Sequence, residues 1–128
     1  MAGGYVQIDE TPIEYLSPGN GATKQGYFWA CKRPGADVSF VWQTSRAAKC
    51  LEAVLPSDWS GVVQCDGYAA YPAFVRQRDQ RNPITIAGCW AHARRAIFQA
   101  QQGDPRTRAW LLNQIGQLYG IERELRAS

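Results

Sequence analysis

Apolar and polar residues alternate over Tyr5-Val6-Gln7-Ile8-Asp9, the two-residue period of a strand, and Pro12 follows closely enough to place Asp9 near the strand's carboxyl end. A turn cluster, Ser17-Pro18-Gly19-Asn20-Gly21, comes next. The aromatic-rich run 26–31 (GYFWAC) reads as a second strand, and Arg33-Pro34-Gly35-Ala36-Asp37 as the turn into a third over 38–43. Connections this short make the three strands successive and antiparallel. The pattern then changes to helical spacing at Ala47, Ala48, Leu51, Val54 and Leu55, so 45–55 is predicted as a helix crossing the sheet and stopped by Pro56. Residues 62–65 form a short fourth strand running straight into Asp66-Gly67, with a brief helix over 68–77 behind it. Residues 84–87 form a fifth strand, followed by Gly88 and a helix reaching roughly residue 101 that carries the run CWAHARR.

Asp104-Pro105 marks the start of the last helix, the acid as cap and the proline in the first turn. Its apolar stripe is Leu111, Ile115, Leu118 and Leu125, and steps of four and three residues put position 122 on that same stripe. Glu122 is therefore expected to interrupt a buried face, with Glu124 pointing elsewhere. The element order, three strands, helix, strand, helix, strand and two helices, predicts an α/β fold: a mixed five-stranded sheet flanked by helices, in one domain spanning 1–128. If the first and fourth strands are parallel neighbours, Asp9 and Asp66 meet at their carboxyl ends, where open α/β sheets place their sites.

Composition narrows the classes. The apolar fraction of 45% is that of a globular chain, and a net charge of +3 permits a polyanionic partner without demanding one. Cys31, Cys50, Cys65 and Cys89 stand at scattered spacings, so reduced thiols are expected and a disulfide framework is not. No apolar run could cross a bilayer and the first ten residues lack the features of a signal peptide, so a soluble cytoplasmic protein is expected.

Taken singly, Asp9, Asp66 and Glu122 each read as ordinary surface residues or caps. Together they terminate or interrupt apolar segments, where carboxylates are costly to desolvate unless a positive charge lies between them. Two aspartates and a glutamate suit a hard cation, Mg²⁺ or Mn²⁺, and a pair of such ions can activate an oxygen nucleophile and stabilise a leaving oxygen at phosphorus. On residues alone this is a generic metal-dependent phosphodiesterase.

Four motifs narrow it: Asp9-Glu10-Thr11-Pro12, Asp66-Gly67-Tyr68, Cys89-Trp90-Ala91-His92-Ala93-Arg94-Arg95 and Leu118-Tyr119-Gly120-Ile121-Glu122. In that order, across nearly the whole chain, they resemble the transposases of the bacterial insertion-sequence sixty-six family. The resemblance implies a ribonuclease H-like fold and a catalytic Asp-Asp-Glu triad at Asp9, Asp66 and Glu122, binding two Mg²⁺ or Mn²⁺ ions. It also implies cleavage at transposon ends followed by strand transfer into target DNA, by a homo-oligomer acting at the bacterial nucleoid. The separations, 66 − 9 = 57 and 122 − 66 = 56, leave room for the intervening elements. Family members usually carry further regions on both sides, so the chain is expected to be the core of a longer transposase, with end recognition outside it. Two alternatives stay open: a nuclease of the same fold without strand transfer, and a catalytically silent DNA-binding or oligomerisation remnant.

His92, the single histidine, follows Cys89 at a C-x-x-H spacing with no second ligand pair, so it is read as contacting phosphate or a metal-bound water, or as a packing histidine, rather than as a zinc ligand. Arg94 and Arg95 on the same helix are candidates to grip phosphate, and Tyr68, with Tyr71, to line the substrate groove, although each has a packing or solvated alternative. Arg76, Arg78, Arg81, Arg106 and Arg108 could likewise track a DNA backbone or simply be solvated. The tryptophans, Trp90 included, are expected mainly to pack.

Overall fold

The computed structural model describes residues 4–19 and 21–128. Five strands, β1 (Gly4–Leu16), β2 (Thr23–Lys32), β3 (Val38–Gln43), β4 (Gly61–Cys65) and β5 (Ile84–Gly88), form one sheet in the order β3-β2-β1-β4-β5. The first three pair antiparallel, while β4 lies parallel to both β1 and β5. The sheet is thus mixed, as the element order predicts, and β1 and β4 are neighbours. Between β3 and β4 runs a 3₁₀ helix (Ala48–Ala53), between β4 and β5 helix α1 (Ala70–Gln77), and after β5 come α2 (Trp90–Gln99) and α3 (Pro105–Ala127). Contacts divide the chain into two compact units, one ending at Gly88 and one running from Cys89 to Ser128.

In the first unit, strand alternation sends Val6, Ile8, Val63, Cys65, Ile84 and Trp29 to one face of the sheet. Leu51, Leu55 and Cys50 from the 3₁₀ segment and Tyr71 and Phe74 from α1 close over them. Trp29 is fully enclosed, its ring edge-on to that of Tyr71 at 6.1 Å between centroids. The other sheet face keeps much of its apolar surface exposed, with Phe28, Phe40 and Trp42 among its residues.

Three expectations are corrected here. β1 does not stop near Asp9: it continues through Pro12 to Leu16, paired with β2 from Gln7 onward and with β4 only as far as Gln7. Proline is tolerated because that part of the strand has a neighbour on one side only. The predicted helix over 45–55 is a shorter 3₁₀ turn with no side-chain cap at its start; helical spacing sets which residues face inward but does not fix the pitch of so short a segment. Trp90 and Trp110 are more than half exposed and Trp42 is also exposed, so only Trp29 and Trp59 are core anchors. In the predicted turn after β1, Gly19 and Gly21 take the left-handed φ values of 92° and 59°, while Asn20 lies outside the described residues.

The foot of the β1/β4 ladder is built on close approach. Gly61 has φ 144°, and a Cβ there would overlap the Gly4 carbonyl. Gly4 donates its N–H to Ser60 O at 3.0 Å, and Gly61 donates to Pro83 O at 3.1 Å. In the second unit, Asp104 caps α3 by accepting from the backbone N–H groups of Arg106 and Thr107, with Pro105 in the first turn, as the sequence predicts. No helix among the described residues is long and apolar enough to cross a membrane.

Candidate active site

The register of the parallel ladder carries the site. Gly4 is opposite Gly61, Tyr5 opposite Val62 and Gln7 opposite Gln64, a constant offset of 57. Asp9 and Asp66 differ by the same 57 positions, so they continue the ladder by one full two-residue period on the same face. Up to that level the strands are tied by side chains as well as backbone. Gln7 Nε2 donates to Gln64 Oε1 at 2.8 Å, Tyr5 OH donates to the same oxygen, and Gln64 Nε2 reaches Gly88 O at 3.4 Å. Beyond the glutamines the backbones stop pairing and the two carboxylates face each other, each with an oxygen within 4.8 Å of the other's.

Asp66 is half-buried and held by its own turn, where Oδ1 accepts from the Tyr68 N–H at 2.9 Å. Asp9 is exposed. Its exposure corrects the expectation of a desolvated acid at the strand tip. Two oxygens bound to one Mg²⁺ at about 2.1 Å each are at most about 4.2 Å apart, so a shift of under an ångström would let one ion take both. Carboxylate oxygens with open solvent beside them are the donor set a hard, partly hydrated cation requires, and the residues therefore fit Mg²⁺ or Mn²⁺.

The acid that is desolvated is one the sequence reading left inside a motif. Glu10, in phase with Val6 and Ile8, projects into the core with its side chain 1% exposed. Oε1 pairs with the Arg46 guanidinium at 2.5 Å, and Oε2 accepts from the Tyr71 hydroxyl at 2.7 Å. Arg46 also lies over the Tyr68 ring, 3.9 Å from its centroid, and 5.6 Å from that of Tyr27. Its hydrogen bond to Glu10 holds the guanidinium above its usual pKa. Burial, reinforced by the hydrogen bond to Glu10, pushes the Tyr71 phenol far above its ordinary value of 10. The period-two alternation V-x-I-x-E was the signal available for Glu10: continued from Val6 and Ile8, it assigns position 10 to the core.

Tyr68 is thus half-buried under Arg46, and Tyr71 is packed, 2% exposed, rather than lining a groove with a free hydroxyl. Arg78 donates to Pro56 O and to Trp59 O at 2.7 Å, and Arg81 pairs with Asp79 at 2.6 Å. These two arginines have structural partners within the first unit.

Arg76, on α1, is exposed; the other remaining candidates belong to the second unit. On α2, His92 is half-buried with Nδ1 lacking a hydrogen-bond partner, and Arg94 and Arg95 are exposed. On α3, Ile115 is buried but Leu118 and Leu125 are 46% and 71% exposed, so the predicted stripe is not a buried face along its length. Glu122, expected to interrupt such a face, has a half-exposed side chain ion-paired to Arg126 one turn later. Helical period finds an apolar stripe, but whether anything covers it is a matter of tertiary contacts.

Comparison with known proteins yields a family. The family model described as "Transposase IS66 family" matches residues 1–128. "Uncharacterized protein y4jD" of Sinorhizobium fredii (strain NBRC 101917 / NGR234) is 35% identical over 130 residues, covering 92% of this chain and 25% of that protein. "Uncharacterized protein y4qI" of the same strain is 34% identical over 104 residues, 73% of this chain and 19% of that protein. The chain therefore spans a quarter or less of these relatives' length. No solved structure matches it. With the family match covering the full sequence and the motifs that carry the resemblance in place along it, the chain belongs to the transposase IS66 family.

Proposed function

We propose that this chain is the catalytic-core segment of a DNA transposase, cleaving phosphodiesters at transposon ends and joining the freed ends to target DNA. The observation that carries the reading is the opposition of Asp9 and Asp66, whose carboxylate oxygens lie within 4.8 Å at the end of the parallel β1/β4 ladder. The sheet order β3-β2-β1-β4-β5, with the first three strands antiparallel, supports a ribonuclease H-like assignment.

In this reading Asp9 and Asp66 hold divalent cations, Mg²⁺ or Mn²⁺, and Glu122 is the third acid by family resemblance. Bound cations of this kind neutralise phosphate charge and lower the pKa of a water or hydroxyl nucleophile. The protein's part is to hold its acids in place before substrate arrives. Asp66 is already ordered by the Tyr68 N–H, which reduces the side-chain entropy lost on coordination. Asp9 is presented to solvent from a strand paired with β2 from Gln7 to Leu16, so its oxygens are accessible to a hydrated ion while its backbone is fixed. His92, Arg94, Arg95 and Tyr68 are assigned to phosphate or strand contacts, in an assembly of several copies on DNA.

The test uses the full chain with Mn²⁺ and DNA duplexes carrying element ends. Asp66→Asn removes a charge from the pair while keeping the side chain's shape and its acceptor oxygen for Tyr68 N–H. It is expected to abolish Mn²⁺ binding and metal-dependent cleavage with circular dichroism unchanged. Undiminished metal binding and cleavage would sink the mechanism. Cleavage without joined products would reduce the activity to that of a nuclease.

A further inference from the structure

Glu10 occupies a position that strand alternation gives to an apolar side chain, and burying a carboxylate there carries a large desolvation cost before any partner is counted. A leucine or valine would fill the same space at no such cost. What the carboxylate provides instead is two directed contacts, one from each oxygen. Oε2 takes the hydroxyl of Tyr71, on α1, and Oε1 takes Arg46, which precedes the 3₁₀ helix. Arg46 in turn lies 3.9 Å over Tyr68, and the N–H of Tyr68 holds Asp66 Oδ1 at 2.9 Å. Both arms therefore end on the segment 66–71 that follows β4. Both begin at the residue next to Asp9.

The geometry points to Glu10 and Arg46 as positioning residues of the two-aspartate centre. Successive residues of a strand face opposite sides, so locking Glu10 into the core fixes the pleat from which Asp9 projects on the other face. Stacking Arg46 on Tyr68 fixes the turn whose N–H orients Asp66. One ion pair thus ties together the two acids across the place where the β1/β4 backbones have stopped pairing. A backbone ladder would otherwise do that work. The inference rests on the reading of Asp9 and Asp66 as metal ligands.

The test is Mn²⁺ affinity of the full chain, measured by titration calorimetry and by water-proton relaxation, with thermal melting alongside. Glu10→Gln keeps the side chain's volume, and Arg46→Met keeps the apolar stem but neither the ion pair nor the cation over Tyr68. Each is expected to weaken Mn²⁺ binding by about 10-fold or more, the usual effect of losing a residue that orients a metal ligand. Arg46→Lys, which restores a charge beside Glu10 without the planar stack, is expected to recover part of the loss. Leu55→Ala, in the same core but not in this network, supplies a variant destabilised by packing alone, and it should bind Mn²⁺ as the wild type does. Wild-type affinity in both Glu10→Gln and Arg46→Met, with binding lost in Asp66→Asn, would overturn the positioning role while leaving the metal centre intact. An equal loss in Leu55→Ala would overturn it by showing general destabilisation. Unchanged affinity in Asp66→Asn would bring down the metal centre and this inference with it.

Discussion

Replacing Tyr71 by phenylalanine removes one oxygen from the middle of the core and leaves the ring, with its edge-on contact to Trp29, in place. The oxygen donates at 2.7 Å to Oε2 of a carboxylate whose side chain is 1% exposed, so no water is at hand to take over the bond. Hydrogen bonds to charged groups contribute about 1.5–3 kcal/mol, and orphaning the buried acceptor puts the loss at about 2 kcal/mol. For a chain of this length that lowers the melting temperature by roughly 6–12 °C, measured by circular dichroism at neutral pH. A second signature follows from the raised phenol pKa. In the folded state Tyr71 stays protonated well above its ordinary value of 10, whereas in the unfolded chain it ionises near 10. The stability this difference contributes is fully present below pH 10 and is lost as pH rises above it. By pH 11 the wild type has given up about 1.4 kcal/mol that Tyr71→Phe never had, so the gap between the two narrows by that amount. A variant that melts with the wild type at neutral pH and follows the same alkaline slope would refute the buried hydroxyl-carboxylate bond.

Three further outcomes test other parts of the structure. Gly61→Ala forces a Cβ into the Gly4 carbonyl at a φ of 144°, and is expected to cost at least about 2 kcal/mol in a urea melt, with loss of Mn²⁺ binding at the far end of the ladder. Asp104→Ala removes the cap of α3 and should lower helical content at neutral pH; because hydrogen bonds from Thr107 and Arg106 hold the Asp104 carboxyl below its ordinary 3.8, that difference is present above pH 3.8 and vanishes as pH falls through the depressed value, readable by circular dichroism against pH. Asp66→Asn, as set out above, should bind no Mn²⁺ while keeping the wild-type fold.

The sheet was legible because strand period and turn residues agree along most of it: each of the five predicted strands overlaps an observed one and 38–43 matches β3 to the residue, while β1 runs past the proline expected to end it. The adjacency of Asp9 and Asp66 was legible only conditionally, since no local pattern says which strands are neighbours. The offset of 57 acquires meaning once the register is known. Glu10 was readable but overlooked, because a charged residue in a strand invites placement on the wet face even when Val6 and Ile8 fix its phase. The 3₁₀ turn at Ala48–Ala53 and the exposed end of the α3 stripe depend on what packs against them, which residue spacing does not encode.

The glycine contact at the foot of β1 and β4 has a consequence at the other end of the strands. Register in a sheet is discrete: a slip of one position would turn Asp66 toward the core and bring Cys65 or Gly67 to the face that Asp9 occupies. There is no intermediate alignment in which the two acids are half opposed. Damage at Gly4 or Gly61, five residues before each acid, should therefore act as a switch on individual molecules. Because Mn²⁺ binds only the aligned register and draws the slipped molecules back to it, titration of a weakened preparation would still report full stoichiometry, with the apparent dissociation constant raised by the inverse of the aligned fraction.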